Sequence, residues 1–156
     1  MTTKVDIKSI FKRATELIIL FIVSGFIYCC IEMLYRGRTH ISMFFVAGLC
    51  GLVMNSWNNI FTFEMDFLLQ VMLSAIVCTA VELCSGLLIN ANHLIWDYSS
   101  LPLNYKGQVC LYFSLVWVAI SAFAIPILDW VEWKVFGYQP TPYYRIGSFR
   151  FSFNGS

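Results

Sequence analysis

Between Phe67 and Ile89 the chain runs through 23 residues with one acidic and no basic side chain, Glu82 being the exception. A helix of that length rises about 34 Å at ~1.5 Å per residue, enough to cross the ~30 Å of hydrocarbon in a bilayer. Three other stretches read the same way. Leu17 to Leu34 carries Glu32 near its far end, and Gln108 to Leu128 has Pro126 near its exit. Ile41 to Met54 reaches full length only if it continues through Asn55-Ser56-Trp57-Asn58-Asn59 to Phe61, so a tilted or partly re-entrant second helix stays open beside a full span. In lipid every backbone polar group must be paired within the segment, and a closed barrel would need alternating segments of about ten residues. The expected fold is all-α, an integral membrane bundle of about four transmembrane helices.

Composition agrees: 59% of residues are hydrophobic and 12% charged, against roughly 45–50% and 25% in soluble domains. A net charge of +1 gives no field to hold nucleic acid. Lys4, Lys8, Lys12 and Arg13 before the first run resemble the basic start of a signal peptide. The run is too long for one, so it is expected to stay as a helix. With four spans, Lys4, Lys8, Lys12, Arg13, Lys134, Arg145 and Arg150 fall on one side and Arg36, Arg38 and Lys106 on the other. The positive-inside rule then puts both termini in the cytoplasm of a plasma-membrane protein.

Residues 1–137 read as the transmembrane domain and 138–156 as a C-terminal tail, rich in Pro and Gly and ending in alternating Phe and polar residues. The tail is open to three readings: strand, interfacial segment or disorder. Ile31-Glu32-Met33-Leu34 and Val81-Glu82-Leu83-Cys84 lie 50 residues apart, an echo compatible with two repeated helix pairs. The six cysteines all sit in apolar stretches without a CxxC pair and read as small packing residues. Trp57, Trp96, Tyr98, Tyr105, Trp130 and Trp133 flank the spans as an interfacial belt would.

A carboxylate within a span is costly, about 2.5 kcal/mol or more at the helix centre, and must face protein or water. Gln70, Ser74, Cys78, Glu82, Ser85 and Gly86 share one side of the third helix and give it a polar stripe. Glu32 stands four residues before Arg36, within ion-pair reach on a helix. The loop after the third span gathers Asn90, Trp96, Asp97, Tyr98, Asn104 and Gln108. The expected ligand site therefore lies at the ends of the first and third spans: Glu32, Arg36, Arg38, His40, Gln70, Glu82, Asn90, Trp96, Asp97, Tyr98, Asn104 and Gln108. His40, His93 and Asp97 lack metal-ligand spacing, and neither a phosphate-binding GxxxxGK[ST] loop nor a GxSxG elbow occurs. No catalytic residue, metal or cofactor is assigned.

These segments resemble a known family. Arg36-Gly37-Arg38-Thr39-His40-Ile41-Ser42-Met43-Phe44, Glu82 with Gly86 and Asn90, and Trp96-Asp97-Tyr98-Ser99 through Pro102, Asn104, Gly107, Gln108 and Cys110 to Trp117 are similar to the bacterial ABC-transporter permease family of the CmpB type. The similarity runs from about Ile27 to Tyr144, and the tail after Ile146 departs from it. It implies a small multipass inner-membrane protein acting as a transport component. Three function classes follow. One is a transport component handling a small polar or amphipathic ligand, as a homo-oligomer or with a separate energising subunit. Another is a non-catalytic assembly subunit. The third is an intramembrane enzyme, with Glu82 or Asp97 as base and Arg36, Arg38 or His40 clamping a lipid head group.

Overall fold

The computed structural model describes residues 7–152; Lys4 and residues 153–156 of the tail lie outside them. Four helices dominate: α1 (Ile7–Arg36), α2 (Ile41–Phe61), α3 (Phe67–Ile89) and α4 (Leu111–Phe136). All four are long and apolar enough to cross a membrane, so the all-α membrane bundle expected from the sequence is what forms. Two small antiparallel hairpins accompany them. β1 (Asn104–Tyr105) pairs with β2 (Val109–Cys110) in the loop before α4, and β3 (Tyr143–Ile146) pairs with β4 (Phe149–Ser152) after it.

The second helix runs its full length. Asn55 and Asn58, which interrupt its apolar run, are buried, and they and the more exposed Asn59 donate to carboxylates of α4. Their amides are paired with protein and not left in lipid, so they need not end the span. The fourth helix also outruns its expected end, passing Pro126 by ten residues, because Leu128, Asp129 and Glu132 on its inner side are all buried. It stops at Gly137, whose left-handed φ of 76° suits a helix C-cap.

Helix α2 is central and packs against α1, α3 and α4, while α3 also packs on α4. Small residues let α1 approach α2. A Cβ added at Gly25 would meet the Phe44 carbonyl oxygen at 2.5 Å, and one at Gly51 would meet Ser24 Oγ at 2.2 Å. Such close approach gives the dispersion contacts that hold helices together in lipid, where water does not drive them together. Val46, Cys50 and Met54 of α2 meet Val71, Ala75 and Cys78 of α3 and Ile125 and Leu128 of α4 in one core. Large apolar side chains such as Phe26, Leu88 and Phe123 stand exposed on the outer faces. The cysteines divide: Cys50, Cys78 and Cys110 are buried, whereas Cys30 and Cys84 face outward, which corrects a uniform packing role.

The β3–β4 hairpin packs against the bundle through Tyr144, whose ring meets Phe63, Phe67 and Phe151. It is tied to the α2–α3 turn by Arg150 on Glu64 and by the Gly147 amide donating to Asp66 at 2.8 Å. Tyr143–Ile146 and Phe149–Ser152 of the tail are therefore strands, joined by a turn at Gly147 and Ser148.

Candidate functional site

Glu32 and Glu82 lie at the same end of the bundle, as four antiparallel crossings require. Glu82 is 2% exposed. Its Oε1 accepts from the Tyr98 hydroxyl at 3.0 Å and its Oε2 from Trp117 Nε1 at 3.1 Å. Tyr28 of α1 stacks on Trp117 at 5.7 Å, bringing the first helix to the same place. Glu32, also buried, accepts from Arg36 one turn on and from Thr39 Oγ1. Glu32, Arg36, Tyr28 and Tyr98 line a cavity of about 180 Å³. Burial and the neighbouring Glu82 both push the Tyr98 hydroxyl up from its ordinary range, so it stays a donor.

The loop residues do a different job. Asn90 Nδ2 donates to the Trp96 carbonyl at 2.6 Å and to Gln108 Oε1 at 3.0 Å, and its Oδ1 accepts from the Ile95 amide. Gln108 Nε2 returns a bond to the Asn90 carbonyl, and Trp96 Nε1 donates to the Gln108 carbonyl. These buried groups satisfy one another and fix the loop that carries Tyr98. Gly86 admits Gln108, since a Cβ there would fall 2.4 Å from Gln108 Oε1. Asn104 braces the turn by accepting from the Gly107 amide and donating to the Ser99 and Leu101 carbonyls.

Four residues expected here stay outside. Asp97 is exposed, and the Ser99 hydroxyl and then the Ser99 amide, at 2.8 Å, hold its carboxyl below the usual range; it does not meet Arg36, Arg38 or His40. His40 caps α2, accepting from the Ser42 amide. Arg38 is exposed and makes no hydrogen bond or ion pair among the described residues. Gln70 shares the buried stripe of α3 with Ser74, Cys78, Glu82 and Gly86, yet it belongs to the other end, donating to Asn58 Oδ1 at 2.9 Å. Trp96 and Tyr98 are buried, not part of an interfacial belt, and Trp57 bonds Ser74 Oγ at 2.6 Å.

Between α1 and α4 an apolar groove of about 380 Å³ runs along the bundle, floored by Ala47, Cys50, Gly51 and Met54 of α2. It shares Tyr28, Ile31 and Ile120 with the Glu32–Arg36 cavity, so the two adjoin. Arg36, which lines the smaller cavity, leaves its buried Nε without an acceptor among the described residues.

The opposite end holds a polar cluster the sequence reading missed. Glu132 accepts from Arg13 at 2.5 Å, from Asn55 at 3.0 Å and from Asn59 at 2.9 Å. Asp129 accepts from Asn58 at 2.6 Å and from the Tyr144 hydroxyl at 2.7 Å. Glu16, also buried, accepts from Tyr138. The signal was there in the i, i+3, i+4 spacing of Asn55, Asn58 and Asn59 and the i, i+3 pair Asp129 and Glu132, which place each set on one helix face. Ending the fourth span at Leu128 hid it. Among the described residues no three His, Cys, Asp or Glu converge as a metal-binding group.

A family model described as "Putative ABC-transporter type IV" matches residues 18–147. No curated protein and no solved structure matches the chain.

Proposed function

The chain belongs to this type IV ABC-transporter family, and on that premise we propose that it is a membrane component of a transport system that handles an amphipathic ligand. The carrying observation is the unpaired Arg36 Nε–H, on a residue that lines the polar cavity adjoining the apolar α1–α4 groove. A buried donor without a partner favours an acceptor group on a ligand, and the groove beyond it favours an apolar chain. The ligand of this reading is an amphiphile with an anionic or carbonyl head at Arg36 and a chain alongside Ile120. Glu32 holds the guanidinium in place, and the Glu82–Tyr98–Trp117 bonds hold the wall behind it.

Both termini lie in the cytoplasm in this reading, on the balance of basic residues, with the Glu32 end facing outward. The partners are an energising subunit or further copies of the chain. The groove is open on its lipid side and a single chain of four helices has a packed core, so an assembled pathway supplies what one protomer lacks.

The test is lipid analysis of protein purified in mild detergent, combined with a photo-crosslinking residue at Ile120. An amphiphile crosslinked at Ile120, and at least tenfold depleted in Arg36→Gln, is the expected result. Crosslinks that join Ile120 only to another protein helix would assign the groove to subunit assembly and overturn the ligand reading. Bulk lipid recovered equally from wild type and Arg36→Gln would overturn it too.

A further inference from the structure

The Glu132 end contains a second cavity, of about 380 Å³, between the ends of α2 and α4 and the chain that follows α4. Asp129 and Glu132 line it together with Asn58, Asn59, Trp133 and Tyr143, and no Lys or Arg does. We propose that this cavity binds a small organic ammonium, its charge on Asp129 and its carbon body against Trp133 and Tyr143.

Charge accounting identifies the anchor. Glu132 already has a cation, Arg13 at 2.5 Å. Asp129 is 3% exposed, makes no ion pair among the described residues, and is held by two neutral donors, Asn58 and Tyr144. A buried carboxylate without a counter-charge is costly, and a cation brought by a ligand relieves that cost.

The bonds at the cavity point the same way. Both donors to Asp129 meet one oxygen, Oδ2, and Oδ1 has no hydrogen bond among the described residues. Asp129 lines the cavity, so the group it lacks there is a donor or a cation and not an anion.

Size and walls set the chemical class. At roughly 30 Å³ per water, the cavity is far larger than a bare metal ion fills, and it matches the lower range of small-molecule sites. Aromatic faces attract cations, yet Lys134 already lies 4.0 Å from the Trp133 centroid and Arg150 4.7 Å from that of Tyr143. The rings therefore serve as apolar walls, and Asp129 supplies the charge. This site is separate from the Arg36 groove and stands whether or not that reading survives.

The experiment titrates the full chain in detergent with tetramethylammonium chloride and ethylammonium chloride, against sodium chloride at equal ionic strength. Tryptophan fluorescence and Tm are the readouts. A saturable response to an ammonium salt is expected, at least tenfold weaker in Asp129→Asn and in Trp133→Leu and unchanged in Arg36→Gln. If Asp129→Asn does not fold, the half-buried Trp133 position carries the comparison. An equal response to sodium chloride would make this an inorganic cation site and overturn the proposal. So would no saturable response in folded wild type, or a response retained in the variants.

Discussion

Removing one oxygen atom tests the account of Glu82. Tyr98→Phe keeps the ring that stacks on Phe113 at 4.5 Å but takes away the hydroxyl that donates to Glu82 Oε1 at 3.0 Å. The carboxylate is 2% exposed, and water has no easy route to replace the lost donor. Leaving a buried acceptor unsatisfied costs about 1–3 kcal/mol. For a chain of this size each kcal/mol moves Tm by roughly 2–4 °C, so a fall of roughly 2–12 °C is expected.

Thermal unfolding in detergent, followed by circular dichroism, measures the loss. A cycle with Glu82→Leu isolates the pair, because removing both partners leaves neither end of the Tyr98–Glu82 bond unsatisfied. Trp117 Nε1 also loses its acceptor in Glu82→Leu, so that single change is the more damaging one. The hydroxyl should matter at least 0.5 kcal/mol less in the Glu82→Leu background, within the usual range for coupled neighbours. Strict additivity, or a Tyr98→Phe protein as stable as wild type, would refute the view that this bond secures the α3–α4 wall.

Gly25→Ala should destabilise by about 1–3 kcal/mol through overpacking, since its Cβ would sit 2.5 Å from a backbone oxygen of α2. Gly37→Asn is the control, having open space around it and a φ of 69° that Asn tolerates; thermal unfolding of both variants checks the contrast. At the other end, the Tyr143 hydroxyl and then Arg150 and Arg145 hold the Glu64 carboxyl below its ordinary value. A depressed folded-state pKa stabilises above the unfolded value of about 4.3 and ceases to do so as pH falls through the folded one. Hydrogen exchange in residues 143–152, corrected for intrinsic rates, should therefore rise below about pH 4, and Glu64→Gln should flatten that rise.

The four helices were legible because their apolar runs are long and lipid permits little else. The buried stripe of α3 was legible too, since Gln70, Ser74, Cys78, Glu82 and Gly86 recur at helical spacing and all turn inward. What a chain does at its loops carried no such period. Asn90, Trp96 and Gln108 have the residue types of a ligand site, yet they bond one another. His40 and Asp97 are spent on a cap and a turn. Residue type says which bonds a side chain can make, and only geometry says which are already made.

The Glu132 cluster shows the opposite failure. Asn55, Asn58 and Asn59 look like the end of a span when hydropathy is averaged, because averaging discards direction. Read by direction, three amides on one face of α2 and two carboxylates on one face of α4 call for each other. Once paired, they let both helices continue through positions that would otherwise end them. The same pairing leaves the two ends of the bundle unequal. At the Glu82 end each carboxylate oxygen has its donor and the unfilled group is a guanidinium N–H. At the Glu132 end Asp129 has no cation among the described residues, and both of its donors meet Oδ2. The Arg36 cavity thus lacks an acceptor and the Asp129 cavity a cation, so a ligand suited to one is unsuited to the other. Arg36→Gln and Asp129→Asn should accordingly fail against different probes, the first against an anionic amphiphile and the second against an ammonium salt.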